Sequence, residues 1–154
     1  MATPLLETRN LKKYFSTKAG PLHAVDDVTF TLDKGKTLGV VGESGCGKST
    51  LGRTVLHLLE RTDGQIFFDG EDISVVSKEK LRQLRERMQI IFQDPMSSLN
   101  PRFSVSKTLK EPLFLSGKYQ KSEIEDRVDR LMDTVGLAPR LREAYPHELD
   151  GGRR

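Results

Sequence analysis

The chain has 154 residues, 36% of them hydrophobic and 31% charged, and a formal net charge of +3. That length suits one domain, and a complete fold of this size buries roughly 70% of its unfolded surface. Interleaved acidic and basic residues exclude a basic stripe for nucleic acid, no apolar run approaches the ~18 residues that span a bilayer, and the single Cys46 excludes an internal disulfide or a cysteine-based zinc site. The N-terminus shows no basic stretch followed by an apolar core, so the chain reads as cytosolic.

In chain order, Leu5 to Leu11 and Ala24 to Leu32 alternate apolar and polar residues around a polar stretch from Ser16 to Gly20, which predicts paired antiparallel strands. Asp33 to Lys36 turns into Thr37 to Val41, which reads as a buried strand. Leu51, Val55, Leu58 and Leu59 then recur at helical spacing. Asp63-Gly64 predicts a turn, Gln65 to Phe68 a short strand, and Asp69-Gly70 a second turn. Ser77 to Arg87 is rich in helix formers, and its arginines, mixed with Glu79 and Glu86, read as a solvated face. Met88 to Phe92 is a continuous apolar run that predicts a strand, and Gln93 to Phe103, with Pro95, Asn100 and Pro101, predicts irregular backbone. Ser122 and Glu125 have the spacing of a capping box before a helix whose Ile124, Val128, Leu131, Met132 and Val135 share one face, ending at Gly136. His23, His57 and His147 are scattered, with no metal-ligand spacing, and read as solvated or hydrogen-bonded.

Between the apolar run and the helix lies GESGCGKST, and Gly42, Glu43, Ser44, Gly45, Cys46, Gly47, Lys48, Ser49 and Thr50 form the candidate nucleotide site. Glycines at 42, 45 and 47 let successive N–H groups turn inward around a phosphate. The helix N-terminus adds positive potential. Lys48 carries a charge on a stem long enough to reach β and γ oxygens, and the Ser49 hydroxyl is placed for Mg²⁺. By chance the pattern arises in roughly 1 in 200 chains of this length. Cys46 reads as a small residue at a free position of the loop, with a thiol activated by its neighbours as the alternative.

Three further segments make the chain resemble the ATP-binding subunit of ABC transporters, nearest to the oligopeptide and dipeptide importers. LKKYF at Leu11 to Phe15 looks like the adenine-stacking segment, with Tyr14 as its aromatic residue. IIFQDPMSSLNPR at Ile90 to Arg102 is similar to the Q-loop segment, with the SSLNPR ending of the peptide-importer branch. YPHELDGGRR at Tyr145 to Arg154 looks like the start of the signature segment. The resemblance implies an α/β P-loop fold of the ABC type, with an antiparallel β subdomain, a helical subdomain and an incomplete core sheet. Residues 1–92 would hold the strands and loop, and residues 93–154 the Q-loop and helical part. It implies ATP and Mg²⁺ as ligands, with Tyr14, the loop and Gln93 on the nucleotide, and Ser49 and Gln93 on the metal. Asp150, Gly151 and Gly152 would meet the nucleotide of a second subunit, as homodimer or heterodimer. Residues after Gln93 would meet transmembrane permease subunits, placing the chain on the inner face of the membrane.

Asp150 stands where the family has Ser, and Arg153 where it has Gln. An ionised Asp150 would face the γ-phosphate with a repulsion on the order of 4 kcal/mol at about 4 Å in an effective dielectric of about 20. The family's Walker B carboxylates and switch His lie beyond its signature, so no catalytic residue is assignable within positions 1–154. The expectation is Mg-ATP binding with poor hydrolysis by this chain alone, a P-loop strand exposed at its edges, and aggregation on expression. A non-catalytic nucleotide-binding fragment and a soluble ABC-type ATPase are the alternative readings.

Overall fold

The computed structural model describes residues 3–93 and 98–149. They form two compact units, Met1–Ile90 and Ile91–Arg154.

The first unit is built on a four-stranded antiparallel sheet of order β2-β1-β3-β4, with β1 at Leu6–Thr17, β2 at Gly20–Leu32, β3 at Asp63–Phe68 and β4 at Glu71–Asp72. The β1–β2 hairpin is longer than the alternation predicts. Its turn shrinks to Lys18 and Ala19, closed by the Thr17 hydroxyl donating to the Gly20 carbonyl at 2.6 Å. The alternation stops early because the pairing shifts register around Asn10, so that Leu11 rather than Asn10 follows Thr8 into the interior. Asn10 and Asp27, both at positive φ, face each other there, and the Asn10 amide donates to Asp27 at 2.7 Å. Such shifts bend a sheet while keeping its apolar face inward.

Asp63-Gly64 is not the predicted turn. It opens β3, with Gly64 at φ +88° lying so close to β1 that a Cβ would stand 2.3 Å from the Asn10 carbonyl oxygen. Asp69-Gly70 is the turn expected, both residues at positive φ as a two-residue hairpin loop requires. Helix α1 spans Lys48–Val55, and α2 spans Lys78–Arg87, capped by the Ser77 hydroxyl accepting from the Lys80 N–H. Leu58 and Leu59 fall beyond α1, which stops at Val55. Leu11, Val25, Val55, Ile66, Phe68, Ile73 and Leu84 form the core of this unit.

Two sequence expectations fail in the same way. Thr37 to Val41 joins no sheet among the described residues, with Val40 50% and Val41 93% exposed, and Met88 to Phe92 likewise forms no strand, with Ile91 97% exposed. Both runs carry the apolar composition of a strand in a sheet covered on two faces, and that burial needs both flanking strands and covering layers.

In the second unit, α3 at Val105–Ser116 and α4 at Lys121–Thr134 pack around Val105, Ile124, Val128, Met132 and Leu149. Helix α3 starts with the Ser104 hydroxyl accepting from the Lys107 N–H and ends at Gly117 in the left-handed conformation. The N-cap of α4 is Gln120, two residues before the expected Ser122. Its box is made by Glu123 accepting from the Gln120 N–H at 2.7 Å rather than by Ser122 and Glu125. Glu125 instead binds Lys110 of α3 at 2.7 Å and Arg142, which also reaches Asp129. Of the predicted stripe, Ile124, Val128 and Met132 are buried, while Leu131 and Val135 are exposed.

Candidate functional site

The segment Gly42 to Thr50 leaves the exposed run and enters α1 through Gly47, the helix N-cap, at φ +97°. A Cβ on Gly47 would lie 2.0 Å from the Ala24 carbonyl oxygen of β2, so only glycine lets the loop sit against the sheet. No side chain caps α1, and its first turn holds no acidic residue. Its leading N–H groups and the positive end of its dipole therefore face outward, ready for an anion.

The Lys48 ammonium closes the loop on itself, donating to the Gly42 carbonyl at 2.9 Å and the Glu43 carbonyl at 2.6 Å, with the Cys46 sulfur at 3.5 Å. These contacts hold a cation at the centre of the turn. An incoming phosphate exchanges carbonyl partners for stronger, charge-assisted ones. Ser49 is exposed on the first turn of α1, while Glu43, Ser44, Gly45 and Cys46 form the exposed rim. Among the described residues no cluster of three His, Cys, Asp or Glu side chains could hold a metal. The exposed Ser49 hydroxyl is an oxygen donor of the kind that Mg²⁺ takes.

Beside the loop lies a cavity of about 330 Å³, within the range of small-ligand sites, lined by His23, Asp26 and Val41 as well as Cys46, Gly47 and Lys48. The aromatic ring on its wall is His23. Tyr14 is the cross-strand neighbour of His23 and stacks on it, with ring centroids 3.8 Å apart and planes 12° from parallel. Asp26 ties both rings down. One of its oxygens accepts from the Tyr14 hydroxyl and the other lies 3.3 Å from His23 Nδ1. The bond to Asp26 is the main cause that pushes the Tyr14 phenol up to about 12, and the same bond, followed by that to His23, holds the Asp26 carboxyl below its ordinary range.

His23 and Asp26 were not singled out by the motifs. The signal was the hairpin register, because pairing Thr17 with Gly20 places residue 14 opposite residue 23. His57 is half-buried and hydrogen-bonded to the Ile73 backbone. Its Nε2 is buried without a hydrogen-bond partner among the described residues, and desolvation, then Arg61 and Arg85, push its pKa down. Gln93 is exposed in the second unit. Asp150, Gly151, Gly152 and Arg153 lie outside the described residues, as do Asp94 to Ser97 of the segment after Gln93.

The fold is that of an ABC-type P-loop ATPase cassette. It superposes on the dimeric structure of MJ0796, described as a bacterial ABC transporter cassette, with a TM-score of 0.79 at 23% identity over 96% of this chain and 64% of that one. For cbiO1 of Clostridium perfringens, described as part of the ABC transporter complex cbiONQ, the TM-score is 0.73 at 28% identity, over 96% of this chain and 56% of that one. The ABC transporter family model matches residues 25–154, and the chain belongs to that family. Among curated relatives, the oligopeptide transport ATP-binding proteins AppF and OppF of Bacillus subtilis are 49% identical over 158 residues and 47% identical over 156. These alignments take in 97% and 100% of this chain but 48% and 51% of the relatives, so the chain spans about half their length.

Proposed function

We propose that this chain carries the nucleotide-binding part of the energising subunit of a peptide-type ABC importer and holds Mg-ATP at Gly42 to Thr50. The observation that carries the reading is the uncapped start of α1 with Lys48 drawn into the loop, 2.6 Å from the Glu43 carbonyl. The N–H groups bind and orient the phosphates, Lys48 neutralises the β and γ oxygens, and Ser49 presents its hydroxyl to the metal. When bound, Mg²⁺ supplies charge neutralisation across those oxygens. Gln93 serves as the further water and metal contact, and Asp150, Gly151 and Gly152 serve the nucleotide of a second subunit.

Residues 1–92 act as the nucleotide core and residues 93–154 as the helical part that meets the membrane subunits. Dimerisation is supported by the dimeric cassette of similar fold, and the peptide class by the names of the bacterial relatives. No helix among the described residues is long and apolar enough to cross a membrane, which agrees with a peripheral seat on the cytoplasmic face. Positions 1–154 offer no apolar strand after the loop ending in Asp-Glu, so these residues alone hydrolyse ATP slowly.

Titration calorimetry with Mg-ATP tests the binding. Lys48→Ala is expected to weaken it about 10- to 100-fold, the equivalent of one lost charged hydrogen-bond donor at ~1.5–3 kcal/mol. Phosphate release by these 154 residues should stay near background. Lys48-dependent turnover at the rate of intact ABC ATPases would overturn the slow-hydrolysis part, and equal heats from both proteins the binding part.

A further inference from the structure

His57 stands just past the rear end of α1, which closes at Val55. Its N–H donates to the Thr54 carbonyl at 3.0 Å, and the Leu58 N–H donates to the Arg53 carbonyl at 2.8 Å. These are the paired bonds of a Schellman stop, with His57 at its left-handed position, φ +53°. Glycine is the usual residue there, so a side chain is kept where the backbone favours none. The ring is half-buried, and its Nε2 is sealed from solvent without a partner among the described residues. The bond to the Ile73 backbone therefore belongs to Nδ1, an N–H donating to the carbonyl, and it ties the end of α1 to a fully buried residue just past β4.

A second proton has no acceptor in this position. An Nε2–H would be a buried donor without a partner, and Arg61 of the same loop and Arg85 of α2 both oppose an imidazolium. Desolvation first, then those two guanidiniums, hold the His57 pKa below its ordinary 6.5. Asp72 of β4 is turned to the Ser74 N–H and the Gln65 amide. Glu60 shares with His57, Arg61, Thr62 and Ser74 the wall of an adjoining cavity of about 470 Å³, so a displaced ring has room and a carboxylate beside it.

We propose that His57 is a proton-operated latch on the rear of α1. The neutral ring holds the Ile73 carbonyl. A ring protonated from solvent leaves for the cavity, where water and the Glu60 carboxylate accept its N–H groups, and the end of α1 loosens from the sheet. The inference does not depend on what the front of α1 binds. Because the closed ring's pKa is lowered and a released ring titrates near 6.5, the latch is fully held above that value and is lost as pH falls from there through the lowered one.

The test is hydrogen exchange read by mass spectrometry on the full chain between about pH 7.5 and about pH 5.5, with rates corrected for the intrinsic pH dependence of amide exchange. Segments 51–59 and 71–76 report the latch, and α4 of the other unit is the reference. In the parent, opening of the two segments is expected to rise about three- to tenfold toward acid, with α4 within about twofold. His57→Gly suits the left-handed backbone, keeps the fold, and makes protection of both segments independent of pH. Arg85→Gln keeps the ring and relieves its closed, protonated form, so the acid rise shrinks toward about twofold.

Protection of 51–59 and 71–76 that does not change with pH in the parent overturns the proposal. So does an acid loss of the same size in His57→Gly, because another group would then carry the proton. An acid loss shared equally by α4 overturns it as unfolding of the whole chain, and an undiminished response in Arg85→Gln overturns the repulsion on which the latch rests.

Discussion

Asp26 is the residue on which the edge of the hairpin turns. Its carboxylate is the acceptor for Tyr14, whose phenol is pushed up to about 12, first by that bond and then by burial and neighbouring carboxylates. Because the Tyr14 pKa is raised on folding, the tie is fully present below the ordinary phenol value near 10 and is lost as pH rises from there through about 12. The Asp26 pKa is lowered, so its contribution stands above the ordinary carboxylate range and fades as pH falls through its lowered value. Ultraviolet titration should therefore show one of the three tyrosines ionising late, and Asp26→Asn should move that step down toward about 10. A single uniform tyrosine step in the parent would contradict the Tyr14–Asp26 bond. The loop itself was legible because its chemistry demands fixed residue types at fixed spacing. The Tyr14–His23–Asp26 group was not, because cross-strand neighbours become visible only once the turn fixes the register.

At the scale of elements, local signals read well and pairing read badly. The helix-former run Ser77 to Arg87 and the Asp69-Gly70 turn both formed as read, with Ser77 as the cap of α2 and the turn leading into the short β4. Helix α3 carries Pro112 in its interior, which weakens the local helical signal, although Ser104 and Gly117 supply both caps. The box at α4 slipped by two residues because Gln120 and Ser122 both precede a glutamate by three, and Arg142 and Lys110 claim Glu125. Gly64 looked like turn chemistry and is instead a point of backbone contact between β3 and β1. Gly64→Ala should cost at least about 1–3 kcal/mol, since left-handed strain adds to a clash with Asn10 that no side-chain rotation relieves. Gly117→Ala has an αL backbone but open space around it, so it should cost about 1 kcal/mol. Urea midpoints of the two variants, with unchanged slopes, would rank them, and the opposite order would mean that β3 does not approach β1 as described.

For the molecule as a whole, the described residues bury two separate groups of side chains and leave apolar backbone uncovered. Leu38, Val40 and Val41 are exposed along a run without strand partners among the described residues. Such a run is a template for intermolecular pairing, so light scattering by the 154-residue chain should rise with concentration, and Leu38→Lys should suppress it. A monodisperse sample at high concentration would contradict that. Apolar composition predicts a sheet interior that the described residues do not form, because a sequence run states which faces want cover and not which chain supplies it. The loop begins at Gly42, directly after Val41, so the anchoring of that run and the proposed grip on phosphate share one thermodynamic cycle. Under the proposed phosphate site, a strand that orders the loop by docking there would tighten the ligand's hold, and by reciprocity the ligand would recruit the strand with the same coupling factor.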